Sequence, residues 1–473
     1  MATRVLLILS SFLLSASALA TGPQPPLQEQ PVLHDIAAAV SPAELQATDT
    51  KLVGFGTRQT LSDTKSDRRG IGAAERWVKS RFEQISKDCS GCLTIITPSL
   101  TFKGERMPTD GAEVMDVVAI QKGTSDPDRY VIITGHVDSR NSDAMDVNKD
   151  APGADDDGSG TSAVIETARV LSKYKFRASI VYSVDSGEEE GLYGGQVIAR
   201  YALEHHWYVE ADLNNDIVGN SHGQNGIVDN TSVRVFSEGT RALETQKEAA
   251  YRRYHGGELD SPSRNVARYM QVLGEKYVPN WHVKMVYRTD RFGRGGDQTA
   301  FNALGFPAVR VTEANEDFTK QHQDVRMDNG IHYGDVLSGV DFDYLAKVTA
   351  MNAVTLAAMA WAPAPPVDLD IAADPAPGLS GGVDTLIKWK SPGADASGFD
   401  VHWRLTTDPQ WSKSRFVGDA QEYTLKDVSI DDYFFGAASV SADGYESPVE
   451  FPGATGSFMP STPPPPPATS IGH

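Results

Sequence analysis

Residues 130–139 are Tyr130-Val131-Ile132-Ile133-Thr134-Gly135-His136-Val137-Asp138-Ser139, a short apolar run that ends in a histidine and an aspartate. Runs this short and this rich in β-branched residues are typical of strands buried on both faces of a parallel sheet. Similar runs occupy 116–120, 179–184 and 308–311, and a helical pattern covers 159–174. Strands that alternate with helices predict a three-layer α/β domain, a sheet with helices on both faces.

Polar residues follow these strands directly. His136 comes after the strand that ends at Thr134, and Glu188 comes after the strand that ends at Val184. In open α/β sheets, functional sites form beyond the carboxyl ends of the strands. We therefore expect these loops to carry the chemistry of the protein.

Two acidic triplets lie in such loops, Asp155-Asp156-Asp157 and Glu188-Glu189-Glu190. Adjacent carboxylates repel unless something positive neutralises them, although acids at the start of a helix are also favourable without a metal. Asp216 and His322 add a further acid and imidazole, whereas His282 and His332 are weaker candidates because they lack an acidic flank. Two histidines with several carboxylates suit divalent metals, Zn²⁺ in particular. The pattern predicts a metallohydrolase with two zinc ions.

Composition narrows the choice of partners. The 473 residues carry a net charge of −20 and are 40% hydrophobic, which is typical of a globular protein. Negative charge disfavours nucleic acid, whose phosphates would be repelled. The chain also offers no polybasic membrane anchor.

The amino terminus resembles a signal peptide at 1–20. Arg4 is followed by the apolar run 5–14 and by the small-residue site Ala18-Leu19-Ala20. This pattern predicts cleavage after Ala20 and export to the periplasm or medium, without stable membrane insertion. Residues 21–45 are expected to form an N-terminal arm or a short pro-segment.

The two cysteines are Cys89 and Cys92. In an exported protein such a pair forms a redox site, half a zinc site or a local disulfide. We favour the disulfide, because no second cysteine pair completes a zinc ribbon.

The larger domain is predicted to span 46–362 and to end in a helix. After this helix the sequence no longer shows alternating helices and strands. Short strands separated by turns over 366–455 predict an all-β sandwich, and the Pro-rich residues 456–473 predict a disordered tail. The sandwich resembles a fibronectin type III module through its aromatic residues, Trp389, Trp403 and Tyr433.

Residues 115–335 resemble the M28 family of zinc aminopeptidases, in its secreted bacterial form. The matching strings are GHVDS, APGADDDGSG, GEEEGLYG, NND and QHQD, with GGDQTAF around Asp297 as a weaker landmark. The resemblance implies a phosphorylase/hydrolase-like mixed sheet with helices on both faces. It also implies these roles: His136 and Asp216 on one zinc, Glu189 and His322 on the other, Asp156 bridging both, Glu188 as general base, and Asp138 orienting His136.

The chain departs from the family pattern in two places. The glutamate triplet leaves two alternatives for the pair of general base and metal ligand, Glu188/Glu189 and Glu189/Glu190. The spacing to Gly191 favours the first pair. Secreted members often carry an oxyanion-stabilising tyrosine shortly before the late aspartate, but residues 291–297 contain none. Arg291 or Arg294 is a candidate replacement, and zinc alone is the other.

The expected activity is removal of the N-terminal amino acid from peptides with a free amino terminus, by a protein that we expect to be a monomer. A carboxypeptidase or aminoacylase of the same fold is the main alternative. It would need a cation for the substrate carboxylate, from Arg291, Arg294 or Arg310. A glutaminyl cyclase is less favoured, because it uses one zinc and this chain retains both histidines. An exported binding or adhesion protein is the distant alternative.

Overall fold

The computed structural model describes residues 29–374 and 382–459. The predicted signal peptide and residues 460–473 of the predicted tail lie outside this part of the chain. Within it, no helix combines the length and the apolar character that crossing a membrane requires.

Helices and strands are both present up to residue 361, and strands alone follow. The helices are α1 Pro31–Ala38, α2 Pro42–Val53, α3 Ile71–Asp88, α4 Gly160–Leu171, α5 Glu188–Gly191, α6 Tyr193–Glu204, α7 Gln246–His255, α8 Pro262–Tyr277, α9 Gln298–Ala303 and α10 Phe342–Trp361. The strands of the first part are β1 Leu93–Ile96, β2 Ser99–Phe102, β3 Ala112–Met115, β4 Val117–Gln121, β5 Asp126–His136, β6 Ala178–Asp185, β7 Tyr208–Asn215, β8 Ser232–Ser237, β9 His282–Val286, β10 Ala308–Glu313, β11 Arg326–Asp328 and β12 Ile331–Tyr333. Those of the second part are β13 Val367–Asp374, β14 Asp384–Lys390, β15 Gly398–Leu405, β16 Lys413–Phe416, β17 Glu422–Leu425 and β18 Tyr433–Val440.

The central sheet has eight strands in the order β1-β4-β6-β5-β7-β10-β8-β9. Strands β6, β5, β7 and β10 are parallel, so their carboxyl ends share one edge. The prediction that the strand near 116–120 is also parallel was wrong, because β4 pairs with β6 in the antiparallel sense. Only four residues separate β4 from β5, too few for the crossover that a parallel connection needs.

Helices cover both faces of this sheet, which confirms the predicted three-layer fold. Successive residues of β5 point to opposite sides: Val131 and Ile133 join the larger core, and Ile132 joins the smaller core beneath α6 and α9. Helix α10 is apolar around most of its circumference and is buried along nearly its whole length, as expected for a helix inside the core.

The amino-terminal segment is part of this core. Leu33 and Ile36 of α1 are fully buried in the larger cluster, and the Ser41 side chain accepts a hydrogen bond from the Glu44 N–H (3.3 Å), which caps α2. The described part of the predicted arm, residues 29–45, therefore packs on the domain as α1 and the first turn of α2.

The carboxy-terminal residues form two three-stranded antiparallel sheets, β13-β14-β17 and β16-β15-β18. They enclose a core that contains Trp389, Phe399 and Phe435. This unit is docked on the larger domain: Arg404 of β15 donates to Asp260 before α8 (2.6 Å), and Phe458 packs into the core of the larger domain.

Candidate metal centre

Three parallel strands bring the first group of predicted residues together. His136 is the last residue of β5, Glu188 starts the short helix after β6, and Asp216 directly follows β7. Because neighbouring parallel strands end at the same edge, these side chains converge in space although 80 residues separate the first from the last.

The Asp155–Asp157 loop divides its three carboxylates between two tasks. Asp157 accepts hydrogen bonds from the backbone N–H groups of His136 (2.9 Å) and Gly160 (2.8 Å). Asp155 accepts one from the Gly219 N–H (2.7 Å). The outer two acids therefore fasten the loop to its neighbours, and only Asp156 faces the two histidines.

A glycine sets the entry to this loop. Gly153 has φ of 54°, in the left-handed region that favours glycine. A Cβ there would lie 2.5 Å from the Cβ of Ser139 and 2.6 Å from the carbonyl oxygen of Asp156. The glycine of the APGADDDGSG string therefore permits the close packing that aims Asp156.

Asp156 lies between the histidines. Its Oδ1 is 3.3 Å from His136 Nε2, and its Oδ2 is 3.0 Å from His322 Nε2. Asp216 Oδ1 approaches His136 Nε2 at 3.8 Å, and Glu189 Oε2 approaches His322 Nε2 at 3.1 Å. Two donor groups result, each with its donor atoms within 4.8 Å of one another: His136, Glu188 and Asp216; and Asp156, Glu189 and His322.

These residues fit metal ions. His136 Nε2, Asp156 Oδ2 and Glu189 Oε1 are buried and have no hydrogen-bond partner among the described residues. An unsatisfied buried polar atom costs about 1 to 3 kcal/mol, so three such atoms close together fit a site where a cation binds. With Asp156 facing both histidines, each side of the centre offers one imidazole and two carboxylates, a donor set that suits Zn²⁺.

Glu189 and Glu190 have different surroundings, which bears on the register of the glutamates. Glu189 faces His322, whereas the Glu190 carboxylate accepts a hydrogen bond from Gln59 Nε2 (2.9 Å) away from both histidines. Glu188 is partly exposed. The geometry thus favours Glu188 and Glu189 as the functional pair.

Burial raises the pKa of Glu188 to about 8, and the negative charges of Asp216, Glu189 and Asp156 act in the same direction against the opposing effect of His136. Burial also raises the pKa of Asp216, but the Arg310 guanidinium and His136 together outweigh burial and lower it to about 2. The pKa values of Glu188 and Asp216 are therefore shifted in opposite directions, a contrast that is typical of acid–base sites.

Asp138 is fully buried beside His136. The His136 Nδ1 atom lies 3.2 Å from the Asp138 carbonyl oxygen and 3.4 Å from its carboxylate. The same carboxylate accepts the backbone N–H groups of Glu188 (3.3 Å) and Glu189 (3.1 Å). Asp138 therefore links the orientation of His136 to the position of the two glutamates, as outer groups around metal ligands commonly do.

Arg310 holds Asp216 in place. This arginine is fully buried on β10, and its Nη1 lies 2.7 Å from Asp216 Oδ2 and 3.4 Å from Asp290 Oδ2. It is therefore inaccessible to a substrate carboxylate, which is the role that the carboxypeptidase alternative gave it. Arg291 is similarly engaged, with Glu316 (3.2 Å), while Arg294 is exposed.

The His322 loop is fastened to the loop after β5. His322 has φ of 52°, and its side chain is 27% exposed. Two residues later, the Asp324 N–H donates to Ser142 Oγ (2.9 Å), and the Ser142 N–H donates back to the Asp324 carboxylate (3.3 Å). This reciprocal pair fixes the second histidine relative to the first.

The remaining histidine candidates and the late landmark stay outside the centre. His282 pairs with Glu275 on the surface, and His332 is exposed on β12. Asp297 is buried and accepts the backbone N–H of Gly195 (3.0 Å), a structural contact between α6 and α9.

Sequence reasoning missed the residues that support the loops from behind. Arg58 is fully buried and donates to the carbonyl groups of Val137 (2.6 Å) and Gly153 (2.8 Å). Asp335 accepts the backbone N–H groups of Asp155 and Asp156 (2.7 to 3.0 Å). Both side chains form hydrogen bonds with main-chain atoms, and such contacts cannot be predicted from a pattern of side chains in the sequence.

The profile of peptidase family M28 matches residues 116–333, which span every predicted metal ligand. A probable zinc metalloprotease of Pyrenophora tritici-repentis is 39% identical over 434 residues, 91% of this chain and 88% of the relative. The chain belongs to peptidase family M28. This membership makes the protein a hydrolase, as the sequence predicted.

Two further comparisons bear on the family and on the fold, respectively. A probable zinc metalloprotease of Leptosphaeria maculans is 39% identical over 432 residues, 91% of this chain and 98% of the relative. Among solved structures, LapA of Legionella pneumophila covers 71% of this chain and 77% of its own, with 18% identity and a TM-score of 0.50. At that identity, the likeness supports the fold alone.

Proposed function

We propose that the protein is an exported aminopeptidase with two zinc ions. The observation that carries the proposal is the position of Asp156, whose two carboxylate oxygens face two different histidines. His136 and Asp216 would hold one zinc, Glu189 and His322 the other, and Asp156 both. The names of the fungal relatives, probable zinc metalloproteases, support zinc as the metal.

Zinc bound there would polarise the scissile carbonyl and lower the pKa of water to about 7. Glu188 would take the proton from the attacking water and deliver it to the leaving amine. Its partial exposure beside His136 and Asp216 supports this role. Asp138 would keep His136 in position through its contacts with Nδ1.

The charges around the centre favour a substrate with a free amino terminus. Carboxylates outnumber the available cations, since Arg310 is bound to Asp216 and Arg291 to Glu316. A substrate carboxylate would meet repulsion, whereas an α-ammonium group would meet acids. Arg294 and Arg106 are exposed and have no ion pair among the described residues, and Arg106 donates to the Glu189 carbonyl (2.8 Å). These two cations keep the carboxypeptidase alternative testable.

Export rests on the signal-like residues 1–20 and on a disulfide. Cys89 and Cys92 are bonded to each other, and disulfides persist mainly in oxidising compartments. Intact-mass measurement of protein from its native host should show loss of the first 20 residues. Retention of Met1 would contradict export by this route.

The carboxy-terminal sandwich is proposed as a fibronectin type III-like module. Two facing three-stranded sheets around Trp389 and Phe399 support this assignment. Because the module is docked through many polar contacts, we propose that it supports the peptidase domain and does not act as a mobile binding arm.

The test is a panel of aminoacyl anilides, each with a free or an acetylated amine, together with peptides that are blocked at the amino terminus and free at the carboxy terminus. We expect chelator-sensitive hydrolysis of the free-amine substrates alone. Cleavage confined to the carboxy-terminal residue of blocked peptides would overturn the aminopeptidase proposal and favour a carboxypeptidase. In that case Arg294→Gln should raise KM.

A further inference from the structure

A second cluster of possible metal ligands lies in the carboxy-terminal sandwich. Asp400 and His402 alternate along β15 and therefore share one face of the strand. Phe399 and Val401, on the other face, fill the core of the sandwich. Glu446 follows β18 and returns to it through a bridge with Val440, which places its side chain beside His402.

The three side chains offer an imidazole nitrogen and two carboxylates whose donor atoms lie within 4.8 Å of one another. His402 Nε2 contacts the Glu446 carboxylate. Among the described residues, no hydrogen bond or ion pair within 4.0 Å holds the Asp400 carboxylate, although this residue is only partly exposed. One imidazole cannot neutralise two neighbouring carboxylates, so the cluster retains negative charge.

A cavity opens beside this cluster, between the sandwich and α8. Its volume is about 230 Å³, and His402 and Glu446 line it together with Tyr269 and Trp411. A water molecule occupies about 30 Å³ in the liquid, so the cavity has room for an ion with coordinated water.

Two cationic side chains line the same cavity, but both are engaged elsewhere. Arg268 donates to the Asp260 carboxylate (2.8 Å) and to the Pro409 carbonyl (2.8 Å). The Lys276 ammonium lies over the ring of Tyr277, 5.2 Å from its centroid. The negative charge of the cluster therefore has no other evident counter-ion in the part of the chain that the structure describes.

We propose that Asp400, His402 and Glu446 bind a divalent transition-metal ion of the zinc type, separate from the catalytic centre. One imidazole and two carboxylates, with water as the fourth ligand, would complete the tetrahedral coordination of zinc. The ion would tie β15 to the segment after β18. That segment contacts the peptidase domain, because the Tyr269 hydroxyl donates to the Glu446 carbonyl (2.7 Å). The bound ion thus stabilises the docking of the two units.

The test compares the zinc content of full-length protein after loading with zinc and dialysis. Wild type should hold one more zinc ion per chain than His402→Ala, while hydrolysis of anilides by the two proteins should be equal. Glu446→Gln, the milder change, should weaken the additional site at least about tenfold in Kd. The matched control is His255→Ala, which removes an exposed histidine stacked on Tyr251 and should leave the zinc content unchanged.

Melting temperatures give a second readout. Added zinc should raise the Tm of chelator-treated wild type more than that of Glu446→Gln. Equal zinc content in wild type, His402→Ala and Glu446→Gln would overturn the proposal, and so would equal stabilisation by zinc. This outcome is distinct from failure of the proposed activity, because a His322→Ala variant tests the catalytic centre alone.

Discussion

Replacing Arg310 with methionine would leave the buried Asp216 carboxylate without its guanidinium partner, whereas Asp290 would keep its contact with Arg291 (3.3 Å). The guanidinium is fully buried, 2.7 Å from Asp216 and 3.4 Å from Asp290, and it also donates to the Gly295 carbonyl (3.1 Å). Methionine fills a similar volume but offers no charge or donor. Removing one partner of a buried ion pair typically costs about 3 to 5 kcal/mol. We expect the free energy of unfolding of the metal-free protein to fall by that amount.

Urea denaturation of chelator-treated protein at neutral pH measures this loss. The matched control is Arg69→Met, because Arg69 forms an ion pair of the same length with Asp150 (2.7 Å) but on the surface, where such pairs contribute about 0 to 1 kcal/mol. Zinc should reduce the penalty at Arg310, since a metal beside Asp216 replaces the lost cation. Equal unfolding free energies for the Arg310 and Arg69 variants would refute this reasoning.

Three further outcomes follow from the packing. Deleting 363–473 should lower the thermal stability and solubility of the remaining chain, because it removes Phe458 from the larger core; unchanged melting and turnover would make the sandwich a dispensable accessory. Replacing Cys89 and Cys92 with serine should lower the free energy of unfolding, measured by urea denaturation, by no more than about 2 kcal/mol, because the bridge closes a very short loop. A larger decrease would contradict this expectation. Asp335→Ala should weaken zinc binding by its effect on the Asp156 loop, measured by competition with a chelating dye; unchanged affinity would show that the loop keeps its shape without it.

The strand-end loops could be predicted from the sequence because their residue types and their positions act together. His136 and Glu188 follow short β-branched runs, and parallel strands necessarily end at one edge. The aspartate triplet, 155–157, could also be placed at this edge, but the role of each aspartate could not be predicted. Which of the three aspartates faces the histidines depends on backbone N–H groups of Gly160 and Gly219, supplied by other elements.

The supporting residues could not be predicted, for a related reason. Arg58 and Asp335 bind main-chain atoms of loops far away in the chain, so their partners leave no side-chain signature. Arg310 stood out as a cation, but its burial against Asp216 depends on the pairing of β10 with β7. The antiparallel direction of β4 depends on a connection whose brevity is apparent only once the strand ends are known.

The measurement that tests the catalytic account most directly is the zinc content and turnover of Glu188→Gln beside wild type. Glutamine keeps the size of the side chain but cannot accept the proton from water. We predict unchanged zinc content and a kcat on free-amine anilides about 10² to 10⁴ times lower. Glu189→Gln should instead lose zinc. Turnover of the Glu188 variant near the wild-type rate would contradict the proposed role of Glu188 and, with it, the proposed mechanism.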